Sequence, residues 1–315
     1  MTTMSVEEQR ALSEQRDLAS TAGVEDVAVD TAAADPAVGR RALTGSARRY
    51  LHSPAGVGGA ILIIAVGIAA LIWPHFTPDP NIADVRNALQ GSGPGHLLGT
   101  DDLGRDLLAR LLAGARVALI VSVTATALAM IAAMLLGVLA GYFGGTVDDL
   151  LSRAFDVIVT FPMILLAVLI VVAIGPSLTS VSIAIAVAMV PRYGRQFRVM
   201  TIAVRQREFV QAVIAQGYSP LRVIVRHVLP NILLPVAVIA LGNMGRVVVA
   251  EASLSFLGAG VQPPDASWGN MISEGTDFLQ SFPQLALYPG IVLCVVSIAF
   301  SFIGDTLRDA FDLTE

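Results

Sequence analysis

Apolar runs long enough to cross a lipid bilayer dominate this chain, at about 55–73, 116–141, 157–191, 228–250 and 284–304. A helix needs about 20 such residues to span the hydrocarbon core. Inside lipid every backbone N–H and C=O must be satisfied internally, which leaves only helices or a closed barrel. Unbroken runs of this length select helices. The 157–191 stretch is too long for one span, and Gly175-Pro176-Ser177 breaks it into 157–174 and 178–191. The sequence therefore reads as an all-α, polytopic membrane protein with six transmembrane helices. Only 14% of its residues are charged, against about 25% in a soluble domain.

Charge placement sets the expected orientation. The 192–227 loop and the segment before the first run hold most of the arginines, and 251–284 holds none. By the positive-inside rule the N-terminus, the 192–227 loop and the C-terminus are cytoplasmic. Arg86, Arg105 and Arg110 fall on the outer side, nearly balanced by nearby acids. Residues 1–47 read as a disordered cytoplasmic tail, poor in large apolar residues, ahead of a transmembrane domain over 48–315. The net charge of −5 comes mostly from that tail.

Several chemistries are disfavoured at once. The 20 Lys and Arg residues are all Arg, so the phosphate-binding lysine of a P-loop is missing. The single cysteine, Cys294, allows no disulfide within the chain. His52, His75, His96 and His227 are scattered. No metal site and no cofactor bound by this chain are expected, and no catalytic residue is assigned.

Three segments carry more specific signals. In the 192–227 loop, helical spacing puts Phe209, Val210, Val213, Ile214, Gly217 and Tyr218 on one face. Glu208, Gln211, Ala212, Ala215 and Gln216 fall on the other. Spacing alone leaves two readings open: a helix lying on lipid headgroups, or one docking a partner that the small alanines let approach. Before the second run, Leu103, Leu107, Leu108, Leu111 and Leu112 form an apolar stripe, with Asp106 and Arg110 at i, i+4. In the fifth run Arg246 and Glu251 are ionisable groups at membrane depth, which marks them as functional candidates. The plainer reading has Arg246 reaching toward headgroups and pairing with Glu251. Asn243 suits the interior of a helix bundle better than lipid. These three are the candidates for a translocation pathway or outer gate.

Residues 211–230 resemble the EAA loop of ABC importer permeases. Gln211-Ala212-Val213 stands in the Glu-Ala-Ala place, Gly217 is the motif glycine, and Leu229-Pro230 closes it at the family spacing, with His227 at a usually apolar position. Further strings resemble the C-type permease of dipeptide and oligopeptide importers. They are Gly99, Thr100, Asp101, Gly104, Arg105 and Asp106; Gly141 to Gly145 with Asp148; Leu254 to Gly260; Gln262-Pro263-Pro264; Trp268-Gly269-Asn270; and Gly304 to Asp312. Together they cover about 50–313 in order. The resemblance implies a type I ABC importer permease fold in a bacterial plasma membrane. It implies a homologous B-type permease, two cytoplasmic ATPase subunits that bind ATP and Mg, and an extracytoplasmic peptide-binding protein as partners. No nucleic-acid partner is expected. Coupling to the ATPases would run through Glu208, Phe209, Val210, Gln211, Ala212, Val213, Ile214, Gly217, His227 and Pro230. It assigns Arg246 no role. The alternatives are a nickel or other small-solute permease of the same family, and an ion-coupled secondary transporter. The latter would bury acids within spans and carry internal repeats.

Overall fold

The computed structural model describes residues 49–72, 75–76 and 79–311. The expected tail over 1–47 lies outside the described residues. The chain divides into Met1–Leu51 and His52–Glu315, and all helices named below belong to the second unit. Among the described residues no strand forms, only two isolated bridges in the 93–106 segment.

Helix α1, Pro54–Ile72, is apolar all round and largely exposed, as a lipid-facing helix is. Gly56 and Gly59 let it close onto the last helix; a Cβ on Gly59 would stand 2.8 Å from the Ala299 carbonyl oxygen. Helix α2, Leu107–Phe143, runs for 37 residues, about 55 Å at 1.5 Å per residue. It begins nine residues before the expected 116 because Asp106 caps it, Oδ1 accepting from the Ala109 N–H at 2.8 Å.

The expected span 157–174 is broken in the structure. Helix α3, Gly145–Thr160, and helix α4, Met163–Ile174, meet at 93°. Pro162 forces Phe161 out of the helical region, to φ −85° and ψ 132°. The neighbouring expectation errs in the other direction. Helix α5, Leu178–Arg205, does not stop at 191 but continues through Pro191. Tyr193 and Phe197, both fully buried, anchor the continuation in the core. The first fourteen residues of the expected 192–227 loop are therefore helix.

Helix α6 is Glu208–Ala215. Helix α7, Pro220–Gly242, is continuous but includes a π turn over Ile224–Val228. Helix α8, Met244–Phe256, follows after Asn243. The expected fifth span, 228–250, is thus shared between two helices. Helix α9, Trp268–Gly275, lies in the long connection, and helix α10 is Gln284–Ala310.

Helices α1, α2, α7 and α10 are long and apolar enough to cross a membrane, and the bent α3–α4 pair makes a fifth candidate. Helix α5 has the length for a sixth, but Arg192, Arg195, Arg198 and Arg205 interrupt its apolar character. The protein is an all-α, multi-pass membrane protein.

The tightest helix pair is α2 with α5. Ala125, Ala129 and Ala133 are fully buried, and a Cβ on Gly137 would sit 2.3 Å from the Gly194 carbonyl oxygen. Small residues let the two backbones touch, which is how helices associate where water supplies no hydrophobic drive. This pair builds one core with α4, α7 and α8, and Val210 of α6 joins it. A second core gathers α1, the first half of α2, α8, α9 and α10 around fully buried Trp268. The Trp268 indole N–H donates to the Leu111 carbonyl at 2.9 Å.

Charged groups lock the end of the bundle that carries Trp268. Arg105 Nε lies 2.6 Å from Asp101, and its guanidinium reaches Glu274 at 3.1 Å. Arg110, 1% exposed, meets Asp101 and Glu274, each at 3.3 Å. The expected Asp106–Arg110 neighbours do not pair: Asp106 is taken by its cap and by His96 Nδ1 at 2.9 Å. Leu103 leaves the expected stripe, since it precedes the helix and is exposed.

Candidate functional site

The segment between α5 and α7 turns twice within a few residues. Arg207 is extended at the start of α6, and Glu208 in the first turn suits the positive end of the helix dipole. At the other end the Gly217 N–H donates to the Ile214 carbonyl at 2.9 Å. Gly217 itself takes φ +80°, a left-handed angle that glycine adopts freely. Tyr218 then lies under the Arg222 guanidinium, 5.3 Å away. Pro220 opens α7 at its first helical position, where a missing N–H costs nothing.

The orientation of α6 reverses part of the expected docking face. Val210 is 0% exposed, and Val213 and Ile214 pack beside it on the core that holds Val223, Ile224 and Val228. Phe209, 43% exposed, turns outward with Gln211, Ala212, Ala215 and Gln216. An apolar face goes where apolar atoms already are. Each large side chain so buried is worth about 1.5–3 kcal/mol, and the chain's own core is the nearest taker. The outward stripe is Phe209, Ala212 and Gln216, at i, i+3 and i+7.

Gln211 donates from Nε2 to the Arg205 carbonyl at 2.8 Å, tying α6 to the end of α5. Beside it a recess of about 360 Å³ is lined by Gly141, Gly144, Asp148, Arg205, Gln206 and Gln211. Asp148 grips the Arg198 guanidinium with both carboxylate oxygens, and Arg205 lies over the Tyr142 ring at 5.2 Å. Gly144, at φ +65°, makes the reversal from α2 into α3 possible. The Gly141 to Asp148 motif thus builds the floor beside α6.

His227 and Pro230 lie on α7 rather than α6. Pro230 has no N–H, and a proline ring in a regular helix crowds the carbonyl four residues earlier. The π turn over 224–228 widens the helix there, with the Leu229 N–H reaching back to Ile224. The His227 carbonyl accepts from Asn231 Nδ2 at 2.6 Å.

The three other candidates do not form one cluster. Asn243 is buried and donates to the Ile239 carbonyl at 2.8 Å. Glu251 is 0% exposed and accepts from Ser255 Oγ at 2.8 Å, while its second oxygen has no hydrogen-bond partner among the described residues. Arg246 is exposed. Five residues on an α-helix turn through about 140° beyond a full circle, so the two side chains leave opposite sides of α8. The expected Arg246–Glu251 pair does not form. Arg246 instead lies within electrostatic reach of Arg192, which also feels Arg308.

Residues 133–313 match the family described as the inner membrane component of binding-protein-dependent transport systems. The chain belongs to that family. This transport component is 42% identical to a dipeptide transport system permease protein, DppC, of Alkalihalophilus pseudofirmus over 81% of its own length and 84% of the relative's. A putative peptide transport system permease protein of Brucella suis is 38% identical over 91% and 97%. A glutathione transport system permease protein of Pectobacterium atrosepticum is 32% identical over 84% and 89%. The family match contains α3 to α10 almost entire, including α6 and all three groups at 243–251.

Sequence reasoning left some of the transport component's tightest polar contacts unassigned. Glu274 meets Arg110 across 164 positions, and Asp148 meets Arg198 across 50. The only local signal was that Asp101, Arg105 and Asp148 sat inside family-like strings.

Proposed function

We propose that this chain is one of two permeases of an ATP-driven importer of dipeptides and oligopeptides, with its termini and α6 on the cytoplasmic side. The observation that carries the reading is the ordered run of motifs, closed by relatives named for dipeptide and glutathione transport over more than four-fifths of the chain. The geometry of α6 supports a coupling role. Its outward stripe of Phe209, Ala212 and Gln216 suits a groove on a cytoplasmic ATPase. Its inward residues Val210, Val213 and Ile214 sit in the core shared with α5 and α7. A push on α6 is therefore delivered to packed helices rather than dissipated in a loop. Rigid movement of those helices opens the pathway between two permeases alternately to each side. The chain does no covalent chemistry, and ATP with its Mg belongs to the partner ATPases.

A nickel route gains no support from the donor groups. Asp101, Asp102 and Glu274 come close enough together to share an ion, but Arg105 and Arg110 already occupy that ground.

Reconstitution tests the reading. Vesicles holding this chain with a B-type permease, two ATPases and a peptide-binding protein should accumulate a labelled dipeptide only when ATP is present. Saturable ATP hydrolysis by the homogeneous chain alone, or uptake driven by an ion gradient without ATP, would sink it.

A further inference from the structure

At the end of the bundle that carries Trp268, a cavity of about 710 Å³ opens between α2, the start of α5 and the 261–266 segment. Its size is that of a small-ligand site, about 300–1,000 Å³. Leu112, Val117 and Ile120 make an apolar wall along α2, and Arg116 and Asp265 supply charges of opposite sign to the same lining.

Arg116 stands on that wall, about 13 Å along α2 from Leu107. It is exposed and has no ion-pair partner among the described residues. Its neighbours in sequence, Arg105 and Arg110, are both buried and neutralised, so an unpaired guanidinium here is not a general habit of this end of the bundle. Asp265 supplies the opposite sign. It accepts one hydrogen bond, from Asn81 Nδ2 at 3.1 Å, and has capacity for more. Asn81 lines the cavity beside it and holds the Asp265 carboxylate in place.

The two charged groups describe their complement. Arg116 takes a carboxylate by forked hydrogen bonds. Asp265 takes an ammonium group. An apolar wall lies between, where small side chains can rest. We propose that this cavity is a binding site for a short peptide with free termini, its carboxylate on Arg116 and its ammonium on Asp265. The proposal rests on the peptide-import reading and adds to it a defined subsite within this permease.

Substrate protection tests it on the full chain in nanodiscs. Cys294, exposed on α10, is replaced by Ser, and Ala113→Cys places one thiol on the cavity wall. An anionic methanethiosulfonate reagent then labels that thiol. Tri-alanine with free termini should slow labelling about tenfold when present at about ten times its Kd. The same tripeptide, N-acetylated and C-amidated, should not. Arg116→Gln should abolish protection, Arg116→Lys should keep part of it, and Asp265→Asn should weaken it. Equal protection by the blocked peptide, or none by the free one up to its solubility limit, overturns the proposal. So does a thiol at 113 that never reacts, because the cavity would then be closed or covered by another chain. The two peptides are compared on unaltered Arg116, so the test holds even where Arg116→Gln fails to fold. Uptake of tri-alanine by the assembled transporter separates the two claims. Uptake without protection removes this site and leaves peptide import standing, whereas a complete transporter that takes up no peptide removes the import reading itself.

Discussion

The two ends of the helix bundle are built on opposite plans. At the Trp268 end, segments far apart in sequence are joined by polar bonds, Arg105 and Arg110 to Glu274 and the Trp268 indole to Leu111. At the α6 end, an eight-residue helix is held by three inward apolar side chains and one hydrogen bond from Gln211, and it ends on a left-handed glycine. The difference is one of directionality. Buried charge networks hold one geometry and fail abruptly when a member is lost. Apolar contacts are non-directional, so a helix seated by them can tilt a little without breaking any single bond. One end is held in a single geometry, and the other leaves a short helix free to tilt.

The largest effect separates the ends most sharply. Asp101→Ala leaves buried Arg105 and Arg110 to share Glu274, with only a looser Asp102 contact to Arg105 at 3.8 Å besides, and should cost about 3–5 kcal/mol, the usual penalty for breaking a buried pair. Thermal unfolding in detergent, or loss of the folded chain from membranes, reads this directly. A variant with unchanged melting temperature would mean that this end is not locked by charge.

The α6 end should respond in a split manner. Val210→Ala removes a fully buried side chain from the shared core, and about 2 kcal/mol of stability should go with it. Phe209→Ala, one residue earlier, should leave the melting temperature nearly unchanged and weaken retention of the ATPase during co-purification. If the two exchange roles, α6 sits with its other face inward.

Much of this division was open to a reader of the sequence, and the limits have physical causes. The apolar runs at 55–73 and 284–304 became α1 and α10 because lipid leaves such runs only one choice. The helix over 209–218 was legible from its periodicity, yet its facing was not. An amphipathic stripe says that two faces differ and is silent on whether the apolar one meets a partner or its own chain. Two expected span bounds moved in opposite directions, with a proline at each. Pro162 bends the chain by 93° inside an expected span, while Pro191 rides inside α5 because Tyr193 and Phe197 anchor the turns after it. Local sequence carries proline's conformational preference but not the packing that overrules it. The pairing of Asp106 with Arg110 failed similarly, since a distant Glu274 outcompeted a neighbour four residues away.

Gly217→Val probes mobility rather than strength. Beyond its immediate chain neighbours, no atom of the described residues lies within 4 Å of the position a Cβ would take, so crowding is not the problem. The strain comes from φ +80° alone, about 1–2 kcal/mol for a residue with a side chain. It falls at the junction of α6 and α7, away from either core. The variant should insert and fold, with a small loss of melting temperature, while substrate-stimulated ATP hydrolysis and uptake both drop. Wild-type uptake would show that the glycine does not set the attitude of α6.

The smallest effect belongs to Arg246, and its sign is informative. Among the described residues it has no carboxylate partner, Glu251 leaves the other side of α8, and the like charge of Arg192 lies within electrostatic reach. Arg246→Leu therefore removes repulsion and no attraction. Stability should stay within about 0.5 kcal/mol of the parent, as for exposed substitutions, and any shift should be upward. Added salt screens exposed charges over about 10 Å at 0.1 M, so that gain should shrink as salt rises. Melting curves at low and high ionic strength measure both. A clear loss of stability at low salt would mean that Arg246 has an anionic partner in the membrane, such as a lipid phosphate, and that the three arginines are held together by it rather than merely tolerated.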